Sequence, residues 1–262
     1  MKNTVLKFEC RNKDGNIICA AEAQENLELT WSHVYEEGDA LVIYGCPGQF
    51  LELQLEEAVR PAVIYLKESP FVYRIPMGEE RMPYAPEAFE GSEHRIFVRS
   101  IEKPQGRRML SENSLDVRGE TAAYPHCTAT IETRGESVFA ARNTIDGLTE
   151  TNDHGKWPYT SWGEGEDPGA SIMIEFGREV EVDEVQFYLR SDFPHDNYWQ
   201  HAVLELEHSG DIPVSFEKTG EMQRIFVEKQ KTSWVKLKNL QKDETDPSPF
   251  PALTQWRVFG RY

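Results

Sequence analysis

Two segments of the sequence carry the side chains best suited to hold a small polar ligand. The first runs from His154 to Gly163 and contains Trp157, Tyr159 and Trp162. An indole ring stacks on the apolar face of a sugar ring, and neighbouring polar groups bind the hydroxyls. Core packing of each Trp is the alternative, because large aromatic side chains are usually buried.

The second segment runs from Arg190 to Trp199 and follows a predicted strand. An arginine or histidine beside a carboxylate can orient a hydroxyl through paired hydrogen bonds. The alternative is that the aspartates of this loop only satisfy backbone turns. We expect the two segments to form one binding site, with these members: His154, Trp157, Trp162, Arg190, Asp192, His195, Asp196 and Trp199.

A third polar loop, residues 143–151, could hold a cation. It offers the Asp146 carboxylate, a turn at Gly147 and the Thr151 hydroxyl five residues after the Asp. Such a loop can place backbone and side-chain oxygens around Ca²⁺, which takes six to eight oxygen ligands. An ordinary Asp-Gly turn explains the same residues.

Catalytic motifs are absent from the sequence. The four histidines at 154, 195, 201 and 208 lack HExxH or HxH spacing, and the chain has no GxSxG or glycine-rich phosphate loop. We therefore assign no catalytic residue and expect a non-catalytic protein.

The elements that must position these loops are strands. Short alternating runs separated by Gly, Pro, Asn and Asp dominate the sequence, and this period of two is typical of β-structure. The predicted strands of the first half are 5–10, 16–21, 27–31, 40–44, 50–55, 62–66, 71–75 and 95–101. Those of the second half are 129–132, 172–176, 185–189, 203–207, 225–227, 234–237 and 256–259.

The pattern predicts an all-β protein with two antiparallel β-sandwich domains of the jelly-roll type. The alternation stops between Lys103 and Glu120, where few apolar residues are available to pack. We therefore predict a first domain at 1–110, a linker at 111–120 and a second domain at 121–262.

Three landmarks of the second domain resemble the discoidin family, also known as F5/8 type C domains or family 32 carbohydrate-binding modules. They are the predicted strand 125–130, the Asn-x-Ile-Asp-Gly loop at 143–147 and the closing strand 255–260. The resemblance covers about residues 120–262 and does not extend to the first domain. It implies a galactose-binding-like jelly roll whose loops at one end bind sugars.

The same resemblance implies a structural Ca²⁺ ion in the Asp-Gly loop. The implied metal ligands are Asn143, Asp146, Leu148, Thr151 and Gln255. Many members carry a Glu before the closing strand, where this chain has Gln255. An amide oxygen still ligates Ca²⁺, but the loss of charge lowers the expected affinity.

Composition restricts the partners. The 262 residues carry a formal net charge of -17, which repels nucleic acid and anionic lipid surfaces. No apolar run is long enough to span a membrane, and the N-terminus alternates like a strand instead of forming a signal peptide. We expect a cytoplasmic protein whose four cysteines are reduced.

These observations together predict a non-catalytic, lectin-like protein that binds a carbohydrate at one end of the second sandwich. Two alternatives remain open at this point. One is a glycoside-active enzyme that uses the second domain for targeting, and the other is a protein-interaction module. The sequence does not specify the sugar or the oligomeric state.

Overall fold

Nearly all regular structure in the protein is β-strand. The computed structural model describes residues 5–167, 169–190 and 197–262. Helical structure in these residues is limited to short 3₁₀ turns at Gly78–Arg81, Thr133–Gly135, Ser137–Phe139 and Ala141–Ile145. All strand pairs described below are antiparallel, so the predicted all-β, antiparallel fold class is confirmed.

Residues 5–107, called the first half below, form two facing sheets. Their strands are β1 (Val5–Arg11), β2 (Ile17–Gln24), β3 (Asn26–Ser32), β4 (Ala40–Tyr44), β5 (Gln49–Gln54), β6 (Ala62–Leu66), β7 (Phe71–Arg74) and β8 (Glu93–Ile101). One sheet has the order β2-β1-β4-β7, and the other contains β6-β5-β8-β3. Alternate side chains of both sheets meet in one apolar core.

Residues 125–262, called the second half, contribute most of a single eight-stranded sheet. The strands of the remaining chain are β9 (Arg108–Met109), β10 (Ala123–Tyr124), β11 (His126–Ala129), β12 (Trp162–Gly163), β13 (Ile172–Arg190), β14 (Trp199–Leu206), β15 (Ile212–Ser215), β16 (Gln223–Lys242) and β17 (Ala252–Arg261). The central order is β12-β17-β13-β16-β14-β15, with β11 beside β13 and β9 beside β17.

The long strand β13 bends at Gly177. The register of its pairing with β16 shifts between Glu175 and Val180, where Gly177 adopts a φ of +67°. A side chain at this position would collide with Tyr124, whose ring lies 2.6 Å from the place of a Cβ. The bend lets apolar residues from both ends of β13, such as Ile172 and Phe187, enter the same core.

The crossing segment, residues 108–124, connects the two halves and exchanges strands between them. β9 pairs with β17 in the second sheet, whereas β10 pairs with β6 in the first half. Leu110 packs in the second core and Leu115 in the first. The stretch predicted as a linker is therefore buried at most positions from 110 to 116, and the predicted domain boundaries stay a prediction.

Direct contacts join the halves on several sides. Tyr262 lies 4.8 Å from Phe50 between ring centroids, and Ser137 Oγ donates a hydrogen bond of 2.6 Å to the carbonyl oxygen of Glu79. The Tyr262 contact packs the partly buried last residue of the second half against strand β5 of the first half. The loops of the second half are therefore positioned partly by the first half.

Candidate functional site

Strand register places several loops at one end of the second sheet. Arg190, at the end of β13, pairs with Ala252, and Trp199, at the start of β14, pairs with Lys242. Trp162 of β12 pairs with Leu253 at the same end. Arg190 also donates a hydrogen bond of 2.7 Å from Nη1 to the carbonyl oxygen of Tyr159. The aromatic loop that ends at Gly163 therefore meets both described ends of the Arg190–Trp199 segment at this end of the sheet.

Trp162 and Trp199 do not present their rings to solvent. Both side chains are 0% exposed, and their ring centroids lie 5.9 Å apart in the second core. Trp162 Nε1 donates to the carbonyl oxygen of Ile131, and Trp199 Nε1 donates to the carboxylate of Glu164. The expectation that these two indoles stack on a sugar is wrong, because a ring enclosed on both faces has no surface left for a ligand.

Trp157 and Arg190 were also expected to contact the ligand, but both lie elsewhere. Trp157 Nε1 donates to the carbonyl oxygen of Pro83 at 3.2 Å, and its ring packs on the core of the first half. Arg190 is 1% exposed, so its guanidinium supports the loop from beneath. Both residues hold the aromatic loop in place, and neither matches the predicted role of an exposed ligand contact.

Three predicted residues, Asp192, His195 and Asp196, lie outside the described residues. Their assignment to the binding site stays a prediction. The described chain stops at Arg190 and resumes at Asn197, both of which belong to the loop end of the second sheet.

A cleft of about 140 Å³ opens at this end of the sheet and is called the tip cleft. This volume is roughly ten times what one water molecule requires, and it is below the ~300–1,000 Å³ of sites for drug-sized ligands. Residues from four segments of the chain line it: Thr133, Arg134, Phe139, His154, Gly163, Glu164, Gly165, Glu166, Pro249, Phe250, Pro251 and Ala252.

Aromatic rings form one part of the tip cleft. The His154 ring stacks on Phe139 with centroids 6.1 Å apart and an interplanar angle of 19°. The Arg134 guanidinium lies 5.4 Å from the centre of the Phe139 ring and pairs with Glu136 at 2.5 Å. Phe250, between two prolines, is 38% exposed. His154 is thus the one predicted residue, among those the structure describes, that lines the cleft.

Glu164 supplies a buried acid to the wall of the cleft. Its Oε2 accepts the hydrogen bond from Trp199, and no hydrogen bond to Oε1 or ion pair to a Lys or Arg is found for it among the described residues. Burial raises the pKa of Glu164 to about 8, an effect that the Trp199 hydrogen bond reduces and the neighbouring charge of Glu166 increases. The carboxyl group is therefore mostly protonated at neutral pH and can both donate and accept a hydrogen bond.

The predicted metal loop is closed by a side chain. Gln255 Nε2 donates to the carbonyl oxygen of Asn143 at 2.7 Å and to Asp146 Oδ1 at 2.6 Å. Gln255 Oε1 accepts from the backbone N–H of Gly147 at 3.2 Å. The amide nitrogen thus occupies the space between two of the oxygens that a Ca²⁺ ion would need, so these residues do not fit the ion.

The remaining predicted ligands add nothing to that loop. Leu148 contributes its backbone N–H to Asp146 Oδ1 at 2.8 Å, and Thr151 is only half-buried in the loop beyond. Burial raises the pKa of Asp146 to about 7, against the lowering influence of the Leu148 N–H and nearby arginines. Within the described ranges, no group of three His, Cys, Asp or Glu residues is arranged to hold a metal ion.

A second, larger cleft lies between the halves and measures about 650 Å³. Tyr73 donates to the Tyr84 hydroxyl at 2.8 Å on one wall, and the Arg142 guanidinium lies 4.8 Å above the Tyr84 ring. The acids that line it are Glu37, Glu80 and Glu120, and Glu80 is neutralised by Arg118 at 2.9 Å. Tyr73 and Tyr84 are the aromatic residues among the described residues that line this cleft.

Comparison with known proteins gives matches among solved structures. A chitosan-binding module of a chitosanase/glucanase from Paenibacillus sp. IK-5 matches with 16% identity and a TM-score of 0.41, over 58% of this chain and 99% of the module. The family 32 module of Clostridium perfringens NanJ, solved with galactose, matches with 15% identity and a TM-score of 0.39, over 51% and 91%. A structure of Streptococcus pneumoniae β-galactosidase BgaA matches with 17% identity and a TM-score of 0.45, over 60% and 100%.

Sequence comparisons are negative. No family model matches the chain, and no curated protein matches it. Two of the matched structures are family 32 modules, each under 20% identical to this chain and with a TM-score below 0.4.

Most of the tip cleft is formed by residues outside the predicted site. Phe139, Glu164 and Phe250 were absent from the predicted site, although all three line the cleft. A usable signal existed for Phe250, because an aromatic residue between two prolines in a polar loop is poorly placed to join a strand. No comparable signal marks Glu164, whose burial depends on the distant Trp199.

No helix in the described part of the chain is long and apolar enough to cross a membrane.

Proposed function

We propose that the protein is a carbohydrate-binding protein and that the tip cleft takes one sugar residue. One observation carries this proposal: the exposed rings of His154 and Phe250 share a small cleft with the buried carboxyl group of Glu164. Sugar recognition needs this combination, because a pyranose has both an apolar C–H face and directional hydroxyls.

Phe250 takes the stacking role that the sequence assigned to Trp162 and Trp199. It is the most exposed of the large aromatic side chains in the cleft, and the prolines at 249 and 251 restrict its loop. A ring held in place by a stiff loop loses little entropy when a ligand binds. His154, stacked on Phe139, supplies a second ring and a polar edge.

The charge of the cleft favours neutral or amine-bearing sugars over acidic ones. Glu166, an exposed acid, lines it beside the protonated Glu164, and its arginine, Arg134, is already paired with Glu136. The whole chain has a formal net charge of -17. A uronic or sialic acid would meet repulsion at long and at short range. Asp192, His195 and Asp196 remain proposed polar contacts from the sequence pattern.

The polar wall also favours a sugar over a protein partner. A protein-interaction module would offer an exposed apolar patch with no buried polar group beneath it. Glu164 is 8% exposed and lies at the wall of the tip cleft. Burying a polar group costs free energy unless a ligand or a protein atom completes its hydrogen bonds.

A panel of neutral, amino and acidic mono- and oligosaccharides tests the proposal by isothermal titration. We expect weak binding of some neutral or amino sugars, and a loss of about tenfold in affinity for Phe250→Ala. Phe226→Ala is the matched control, because Phe226 is 72% exposed and does not line the cleft. A folded protein that binds no member of the panel, or equal loss in both variants, would contradict the proposal.

A glycoside-active enzyme is the second candidate, favoured by the larger cleft between the halves. Its three lining acids, Glu37, Glu80 and Glu120, are the residue type that glycoside hydrolysis uses in pairs. Release of nitrophenol from a panel of nitrophenyl glycosides tests it. Turnover that is lost in Glu37→Gln or Glu120→Gln would support this candidate, and no turnover at high protein concentration would exclude it for those substrates.

A further inference from the structure

The side chain of Gln255 completes the Asp-Gly loop from the inside. An amide has two N–H donors and one carbonyl acceptor, and all of these groups are used here. The donors bind the Asn143 carbonyl and Asp146 Oδ1, and the acceptor takes the Gly147 N–H. Because a backbone N–H only donates and a carbonyl only accepts, the orientation of the amide is fixed by its partners.

The amide nitrogen lies where a cation would have to lie. Asn143 O and Asp146 Oδ1 are the kinds of oxygen that Ca²⁺ takes as ligands at about 2.3–2.6 Å. Both are 2.6–2.7 Å from Gln255 Nε2, so no space for an ion remains between them. The hydrogens of the amide point at these oxygens and supply the partial positive charge that the ion would otherwise give.

A second side chain holds the loop from the outside. Arg60 of the first half donates from Nη1 to the carbonyl oxygen of Gly147 at 3.0 Å. Glu112 of the crossing segment lies against the same glycine, with its carboxyl carbon 3.1 Å from the place of a Cβ. Gly147 therefore has a backbone N–H bound by the second half and a carbonyl bound by the first half.

Asn143 is fixed by further bonds that need no ion. Its Nδ2 donates to the Ser137 carbonyl at 2.9 Å, and its Oδ1 accepts from Arg142 Nη1 at 3.1 Å. The residue is 0% exposed. Both ends of the loop are thus held by protein groups alone.

We propose that the Gln255 amide, together with the Arg60 guanidinium, replaces a bound cation in this loop. The second half then folds without calcium, and the loop serves as a fixed joint between the two halves. The loop oxygens keep the geometry of a cation cradle, so one substitution that returns a carboxylate to position 255 restores calcium binding.

The first experiment uses the unmodified full-length chain. Its thermal unfolding midpoint is measured in EDTA and in millimolar CaCl₂, and calcium binding is measured by titration calorimetry. We expect the same Tm in both buffers and no saturable heat. A Tm that rises with calcium, together with stoichiometric binding abolished in Asp146→Asn, would overturn the proposal.

The second experiment compares Gln255→Glu with Gln255→Ala under the same conditions. Gln255→Glu places a carboxylate beside Asp146, so we expect a lower Tm than that of the unmodified chain in EDTA and a rise of at least about 3 °C on adding calcium. Gln255→Ala removes the amide without adding a ligand, so its Tm should fall equally in both buffers.

The two variants also separate the parts of the proposal. A folded Gln255→Glu protein with no calcium response would show that the loop is not a cation cradle, and the replacement idea would fail. A calcium-dependent rise in Gln255→Ala would instead support the replacement, because the cation would then occupy the place that the amide nitrogen had held. If neither variant folds, the buffer comparison on the unmodified chain still decides the proposal.

Discussion

The tip cleft and the Asp-Gly loop both contain a buried carboxyl group with a raised pKa, but the surroundings of the two groups differ. Asp146 Oδ1 accepts from the Gln255 amide and the Leu148 N–H, in a loop closed by protein groups. Glu164 has one described protein partner, Trp199, and lines a cleft. The two carboxyl groups thus differ in their surroundings: protein groups enclose Asp146, whereas Glu164 lies beside a cleft with room for a small molecule, which is why we propose the ligand site there.

The buried Trp162 forms the support beneath the tip cleft, and its removal should give the largest effect. Trp162→Ala leaves a cavity next to Trp199 and an unused carbonyl at Ile131, so we expect a loss of about 3–5 kcal/mol in the free energy of unfolding. Urea unfolding followed by fluorescence measures it. Sugar affinity in the folded fraction should change little compared with Phe250→Ala. A large loss of sugar affinity with unchanged stability would mean that Trp162 contacts the sugar and is not only a structural residue.

Gln255→Ala tests the closed side of the comparison. The change leaves Asp146 Oδ1, the Asn143 carbonyl and the Gly147 N–H with fewer partners in a buried loop, so we expect a loss of about 2–3 kcal/mol. Chemical unfolding measures the loss. Titration of the variant with a sugar that the unmodified protein binds should give the same affinity as for the unmodified protein. Equal stability of the variant would mean that water replaces the amide without cost, and the loop would not be a closed site.

The pH dependence of stability tests the open side. Burial raises the pKa of Glu164 from its ordinary 4.5 to about 8, so the folded state holds this proton more tightly than the unfolded chain. Its contribution is complete below about pH 4.5 and is lost as the pH rises through 8. Glu164→Gln, which keeps an acceptor for Trp199, should reduce the fall in stability between pH 5 and 8, by on the order of 1–3 kcal/mol.

Unfolding curves at several pH values in that window give the slope. Glu166→Gln is the matched control, since Glu166 lines the same cleft but is exposed. Part of the slope should remain in Glu164→Gln, because the pKa of Asp146 is also raised, to about 7. Identical slopes for the unmodified protein and Glu164→Gln would contradict the assignment of the titration to Glu164.

Arg60→Gln should give the smallest effect, because its hydrogen bond to Gly147 lies near the surface. We expect a loss of about 0.5–1.5 kcal/mol in unfolding free energy, with no response to calcium. Arg95→Gln is a suitable control, since Arg95 pairs with Glu28 on an exposed surface. A loss no greater than that of the control would mean that the first half does not hold the loop.

The fold of the first half could be predicted from alternation alone. Predicted strands 40–44 and 62–66 coincide with β4 and β6, because a Gly or Pro lies shortly before and shortly after each of them. In the second half the predicted strands 172–176 and 185–189 belong to the single strand β13. Gly177 lies between them and is typical of a strand end, but here the strand bends at Gly177 and continues.

The site was harder to predict because burial depends on distant residues. The polar context of the aromatic loop suggested exposed rings, yet Trp162 and Trp199 pack on each other from positions 37 residues apart. The observed strand β11 covers 126–129 and shares only Ala129 with the predicted strand 129–132. The 3₁₀ turns that follow it place Arg134 and Phe139 in the cleft. Only His154 could be placed from the sequence pattern.

The strand exchange in residues 108–124 determines how the protein can be divided for experiments. A fragment that starts after β9 loses the partner of Phe259 and Gly260, and one that stops before β10 loses the partner of Leu66 and Tyr65. Each cut uncovers a sheet edge with unpaired backbone groups, which promotes self-association. A fragment of either half should therefore include all of residues 108–124. Fusion partners or tags should not be inserted in this segment.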